Sequence, residues 1–192
     1  VRSSDSPRLP EKEKQEGITG DVSLEYFAEG FQIPDAHHAD IPALDVLATI
    51  LGEGKSSRLH QELVEKEHVV QDIGATIHAQ KEAGLLIVYG VCNPAEHERL
   101  SVKLSEMINK LKAEPPTPTE LERARTVLET DYLRSRETAA NYAQEAGTWS
   151  ALSDVSDMTH YLNRVREVTP KQIQKAAADY LKFPQTVFLV PE

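Results

Sequence analysis

The sequence predicts an α+β fold: a mainly antiparallel sheet covered by several helices. Three observations lead there. "HVVQDIGATIHAQ" and "GLLIVYGVCN" are strand-like runs around a short "KEAG", which reads as a hairpin with Gly84 near its turn. Hairpin strands pair antiparallel. The helical patterns come in blocks rather than alternating with single strands, which disfavours a doubly wound parallel sheet. Finally, "TVFLVP" (186–191) closes the chain as a strand after a long helical stretch.

Taken in order, the chain opens at Val1 with "RSSDSPRLPEKEKQEG", rich in charge, Ser and Pro. It has no apolar h-region and so is no signal peptide. It reads as a linker or fragment start over residues 1–19, a piece of a longer protein, with the domain proper at 20–192. A short strand is expected at 15–19. "DVSLEYFAEGFQIP" (21–34) carries β-branched and aromatic residues and stops at Pro34, so a longer strand is expected there. "DAHHADIPALDVLATILG" gives a loop and then a helix at about 39–51, from the spacing of Ile41, Leu44, Leu47, Ala48 and Leu51. A second helix is expected at 58–67.

Three later helices share one start signal. Asn93-Pro94-Ala95-Glu96, Thr117-Pro118-Thr119-Glu120 and Thr169-Pro170-Lys171-Gln172 each offer a capping oxygen, then proline where no amide partner is lost, then Glu or Gln at the third place. These helices are expected to run to about 112, 150 and 181, with another at 155–166. Leu100, Leu104, Met107, Ile108 and Leu111 stripe the first; Leu121, Ala124, Val127, Leu128 and Leu133 stripe the second.

Composition bounds the function. The 192 residues are 40% hydrophobic, enough for a substantial core. A formal net charge of −10 without a basic patch argues against nucleic-acid binding. No apolar run approaches the ~18 residues of a membrane span. The lone Cys92 permits neither an internal disulfide nor a cysteine metal cluster, and its apolar surroundings suit a buried filler.

Gly54-Lys55-Ser56 ends like a phosphate-binding loop, but the required first glycine is replaced by Thr49 and the loop follows a helix rather than a strand. The plainer reading is a helix stop. Gly52 and Gly54 can take the left-handed conformation, and Ser56 or Ser57 can cap the next helix.

Chemistry is sparse. The histidines are His37, His38, His60, His68, His78, His97 and His160, and neither H-E-x-x-H nor H-x-x-E-H is present. His37-His38 with Asp40 is the nearest cluster, and adjacent side chains rarely converge on one metal. His60 and Glu62 lie two apart on a helix and do not face each other. The serines lack a G-x-S-x-G elbow. Glu62, Glu65 and Glu67 read as a solvated helix face, and Trp149 as core. No catalytic and no metal-binding residue is assigned.

Assembled, these segments resemble a known family. "DIPALDVLATILGEGKSSRLHQELVEK", with "IGA" (73–75), "TELERAR" (119–125) and "YLNRVREVTPKQIQKAAADYL" (161–181), is similar to the non-zinc half of the pitrilysin/insulinase-type zinc metallopeptidases. The resemblance covers about residues 20–192. It makes Gly52, Gly54, Ser56, Ser57 and Arg58 structural signature positions of a helix–turn–helix joint, with Arg58 free to fix that joint through carbonyls or a carboxylate.

The resemblance also implies one half of a metallopeptidase clamshell. The other half, in the same polypeptide or a partner subunit, would carry H-x-x-E-H and the zinc; this half would close over a peptide substrate. No cofactor is expected in this chain, and no activity from it alone. Second halves that assist catalysis often carry an Arg and, seven residues on, a Tyr near the substrate. Aligning "ELVEKEHVVQDIGA" puts Val64 and Gln71 at those places. Valine neither donates nor carries charge, so direct catalytic assistance is not expected. The alternative is a scaffold or assembly module with the same fold. An exported and a cytoplasmic location both stay open. A clamshell half should also show an apolar or hydrogen-bonding patch on its sheet edge or inner surface.

Overall fold

The computed structural model describes residues 10–192 apart from Ser153. Its strands are β1 (Lys14–Gly20), β2 (Glu25–Ile33), β3 (Val70–His78), β4 (Gly84–Cys92) and β5 (Gln185–Pro191). They form one sheet in the order β1-β5-β2-β4-β3. Every neighbouring pair is antiparallel except β1 and β5, which run parallel. The fold is therefore α+β with a mixed, mainly antiparallel sheet. β1 falls inside the span read as linker, at the place of the expected short strand; residues 1–9 of that span lie outside the described part.

The helices are α1 (Ile41–Gly52), α2 (His97–Ala113), α3 (Pro118–Arg134), α4 (Ala139–Leu152), α5 (Val155–Glu167) and α6 (Pro170–Tyr180). Two shorter turns join them: a wide helical segment His60–Lys66, whose Glu67 amide bonds back five residues to Glu62, and a tight turn Pro94–Glu96. α1 is almost wholly buried and forms the centre of the helical layer, touching β3, α3, α5 and α6. Against it the sheet presents Phe27, Phe31 and Ile33 from β2, Leu86 and Val88 from β4, Ile73 and Ala75 from β3, and Phe188 from β5. Successive strand side chains alternate sides, so these positions define one covered face.

The capping signals resolve as local chemistry dictates. Thr117 and Thr169 each accept from the amide of the third helical residue, whose Glu120 or Gln172 side chain reaches back to the threonine amide. At Asn93 only half of this forms: Asn93 accepts from the Ala95 amide, while Glu96 turns away to Arg99, and α2 starts later, at His97.

Two helix expectations are corrected. The helix expected from 118 to 150 breaks at 135–138. There the Ser135 hydroxyl donates to the Tyr132 carbonyl, and the Thr138 hydroxyl accepts from the Asn141 amide and so starts α4. Short hydroxyl side chains compete with the helix ladder for its backbone partners. Leu133, assigned to the apolar stripe, is consequently exposed. The second expected helix, 58–67, is capped by neither serine. The Ser56 hydroxyl accepts from Arg123, and the Ser57 hydroxyl is buried without a partner.

Candidate functional site

The joint between α1 and the next helical segment is built from the signature residues. Gly54 has φ +72° and makes the left-handed turn. Gly52 does a different job from the one expected: a side chain there would stand 2.1 Å from the Ala75 backbone nitrogen, so the glycine lets α1 lie directly on the Gly74-Ala75 backbone of β3. The "LGEG" and "IGA" segments thus meet in space. Arg58 spans from the joint to α3, with Nε and Nη2 donating to the two Glu120 carboxylate oxygens at 2.6 and 2.9 Å. That bidentate pair holds Glu120 down at about pKa 2 while the same carboxylate caps α3. Arg123, one turn on, donates to the Glu53 carbonyl and the Ser56 hydroxyl. The signature is a three-way clasp of α1, the turn and α3.

The two lost-contact positions lie apart in character. Val64 is half-buried and packs against the core. Gln71 is exposed and is the extra residue of a bulge in the edge strand β3, between Val70, opposite Cys92, and Asp72, opposite Val91.

The histidines are dispersed. His38 touches Asp40, His60 touches Glu65, His160 bonds the Ser156 carbonyl of its own helix, and His78 is exposed on β3. Among the described residues no three His, Cys, Asp or Glu side chains are grouped so as to hold a metal. Sequence reasoning missed a buried contact: Glu25, 2% exposed, accepts from His97 Nδ1 at 2.6 Å, with the Cys92 thiol 3.9 Å away. Its signal was a glutamate in phase with the core positions Phe27, Phe31 and Ile33. Burial, then the charges of Glu25 and Glu96, push the Cys92 thiol up to about 11, which leaves it a poor nucleophile at neutral pH.

The surface that stands out is the other face of the sheet. Opposite the covered set, β2 presents Tyr26 and Ala28, β4 presents Leu85, Ile87, Tyr89 and Val91, and β5 presents Val187 and Leu189. The registers place them side by side, with Tyr26 between Val91 and Leu189, and Ala28 between Tyr89 and Val187. Ile18 of β1 extends the row beside Leu189. Tyr26 and Tyr89 are 46% and 47% exposed. The Tyr89 ring lies over Gly74 on β3, where a side chain would meet it at 2.8 Å. Among the described residues no helix lies on this face, which leaves several large apolar side chains exposed to solvent. Individual residues of this face were not foreseen. The usable signal was β4, "GLLIVYGVC", apolar at both phases, which is the pattern of a strand covered on both sides. No described helix is long and apolar enough to cross a membrane.

Comparisons with known proteins agree with this geometry. A family profile described as the peptidase M16 inactive domain matches residues 3–128. The zinc protease PqqE of Helicobacter pylori is 30% identical over 173 residues, which covers 88% of this chain and 39% of that protein. A solved protease structure from Helicobacter pylori superposes with a TM-score of 0.86 at 26% identity, over 95% of this chain and 46% of the other. The peptidase M16 inactive domain from Pseudomonas fluorescens gives a TM-score of 0.87 at 18% identity, over all of this chain and 47% of the other. The chain spans less than half the length of each of these relatives. It belongs to the inactive-domain family of the M16 zinc metallopeptidases.

Proposed function

We propose that this chain is the catalytically inert half of a zinc-dependent peptidase, whose open sheet face walls a chamber and grips a peptide held at the zinc of another half. The observation that carries the reading is that face: an apolar surface centred on Tyr26 and Tyr89, flanked by Val91, Leu189 and Val187, with no helix on it among the described residues. An extended peptide brings alternating side chains and a backbone, and an apolar wall with two tyrosine hydroxyls takes the former while edge strands can take the latter. Val64 and Gln71 supply no Arg–Tyr pair, so the contribution is grip and enclosure rather than chemistry. The zinc, and the carboxylate that activates water, belong to the partner half.

The test is hydrolysis of a quenched fluorescent peptide library, with zinc measured by elemental analysis, on this chain alone and joined to its native upstream segment. The expected result is no cleavage by the chain alone and zinc-dependent cleavage on joining. No cleavage and no zinc in either form overturns this reading in favour of a scaffold with the same fold. A Tyr26→Ser/Tyr89→Ser variant of the joined protein should raise KM several-fold with the zinc content unchanged; an unchanged KM removes the sheet face from the substrate path.

A further inference from the structure

A cavity lies on the helix-covered side of the sheet, away from the proposed peptide-facing wall. It has a volume of about 570 Å³ and opens between α2, the turn joining α6 to β5, and the segment leading into β1. That size is within the ~300–1,000 Å³ usual for small-molecule sites. Its deep wall is Phe27 and Phe31 of β2 with Leu104 and Ile108 of α2. Its rim carries Lys112 and Lys182. Phe183 stands at the lip, 44% exposed and held at φ +52°. A bulky side chain in that region is strained, so its surroundings must enforce it. Gln185 does so, its side-chain amide donating to the carbonyls of Phe183 at 2.9 Å and Lys12 at 3.0 Å.

The charges in this cavity are unbalanced in one direction. Among the described residues neither Lys112 nor Lys182 forms an ion pair, and Lys112 has only a 3.5 Å contact with Asn109. The Lys112 ammonium is held below its ordinary pKa by burial first, with the Lys182 charge acting in the same sense and Glu13 and Glu29 opposing. The carboxyl at the base is Glu29, on the helix side of β2. Its one bond is from the Thr186 hydroxyl at 3.3 Å. Burial, with Glu13 adding and Lys112 subtracting, raises Glu29 to about 7, so it is largely neutral below that pH and can donate a proton in a hydrogen bond. With Lys14 paired to Glu16, Lys112 and Lys182 then face one carboxylate, Glu13. A further cation would meet repulsion there; a single anion would complete the balance and relieve the repulsion between the lysine charges.

We propose that this cavity binds an amphipathic monocarboxylate, with its apolar body against Phe27, Phe31 and Ile108 and its carboxylate between Lys112 and Lys182. Glu29, when protonated, donates to the same carboxylate, and Phe183 closes over the apolar body. The site is independent of the peptidase reading, since it faces away from the wall described above.

The experiment is calorimetric titration of the chain with decanoate, decanol and decylamine at pH 6 and pH 8. Decanoate should bind saturably with one site, at least tenfold more tightly than decylamine. Lys112→Gln/Lys182→Gln should lose at least tenfold in decanoate affinity, while its thermal unfolding stays that of the parent. Decanoate remains ionised throughout this range. Its affinity should fall about tenfold from pH 6 to pH 8, as the neutral fraction of Glu29 falls by that factor. Glu13 before β1, Lys14 at the start of β1, Lys112 on α2 and Lys182 after α6 are the other titratable groups around the cavity; Glu29→Gln isolates the carboxyl and should flatten the pH dependence while keeping binding. No saturable decanoate binding, equal affinity for decylamine, or full affinity in the double lysine variant would each overturn the proposal.

Discussion

One strand carries two different kinds of hydrophobic residue. On β4, Leu86 and Val88 point into the helical layer and are fully buried, whereas Leu85 and Tyr89, their immediate neighbours, point the other way and are 42% and 47% exposed. Burying a leucine side chain stabilises by about 1.5–3 kcal/mol. The chain collects that gain on one face only. The apolar residues of the other face contribute little to its own folding, so their stabilisation becomes available when something covers them. The covered face explains why the domain folds; the open face holds apolar area that a covering surface would bury.

The sharpest way to break the covered side is Gly52→Ala. Its new methyl would stand 2.1 Å from the Ala75 nitrogen and 2.6 Å from the Gly74 carbonyl carbon, both backbone atoms that cannot swing aside. We expect α1 to be pushed off β3 at a cost above about 3 kcal/mol, or loss of soluble protein. Gly54→Ala, at φ +72° with open space around it, should cost only about 1 kcal/mol. Urea unfolding of the two variants separates close approach from turn geometry. Equal losses would mean that Gly52 matters only as a helix stop.

The next largest effect tests the two faces directly. Leu86→Ala should destabilise by about 2–4 kcal/mol and Leu85→Ala by less than about 0.5 kcal/mol in the chain alone. If the two losses are similar, the open face is covered in solution. In the protein joined to its upstream segment, a Leu85 loss that grows while the Leu86 loss stays constant would mark that segment as the cover.

Arg58→Ala comes below these, at about 1–3 kcal/mol, because it removes a bidentate charge-assisted pair at a partly exposed joint. Arg58→Lys should recover only part of it, lacking the planar fork. The Glu120 carboxyl is held near 2, below its unfolded value, so this stabilisation is present above about pH 4.5 and is lost as pH falls toward 2. Acid unfolding of Arg58→Ala should therefore lie closer to the parent than unfolding at pH 7 does.

Legibility in the sequence followed the range of the cause. The Thr117 and Thr169 capping boxes are set by four adjacent residues and form as written. The hairpin is set by two strand-like runs and a short turn, and its antiparallel register runs unbroken from Asp72 to His78, after the bulge at Gln71. Arg58 was singled out as the clasp, but its partner Glu120 lies 62 residues away, and nothing local names it. The role of Gly52 was misread for the same reason: the backbone it must clear belongs to β3. The break at 135–138 depends on whether two hydroxyls bond back or outward, which the apolar stripe does not report. The open face was half visible, since β4 is apolar at both phases, but which phase the helices would cover depended on α1.

The smallest effect concerns a charge beneath the helical layer. Asp45 on α1 accepts from the Tyr161 hydroxyl of α5 at 2.8 Å. Burial raises it to about 7, with the tyrosine bond pulling back the other way. The folded state thus holds this proton more tightly than the unfolded chain does. Its stabilising contribution is fullest below the unfolded value near 4, and it declines as pH rises through 7. Asp45→Asn keeps an acceptor for Tyr161 and removes the charge. It should exceed the parent in stability by about 1–2 kcal/mol at pH 8, a gap that narrows toward pH 4. Thermal unfolding across pH 4–8 reads the gap directly. Glu29 has the same sign and remains in both proteins, so it cancels from the difference. A gap that stays constant with pH would mean that Asp45 titrates alike in the folded and unfolded states, so that its burial between α1 and α5 does not bear on its charge.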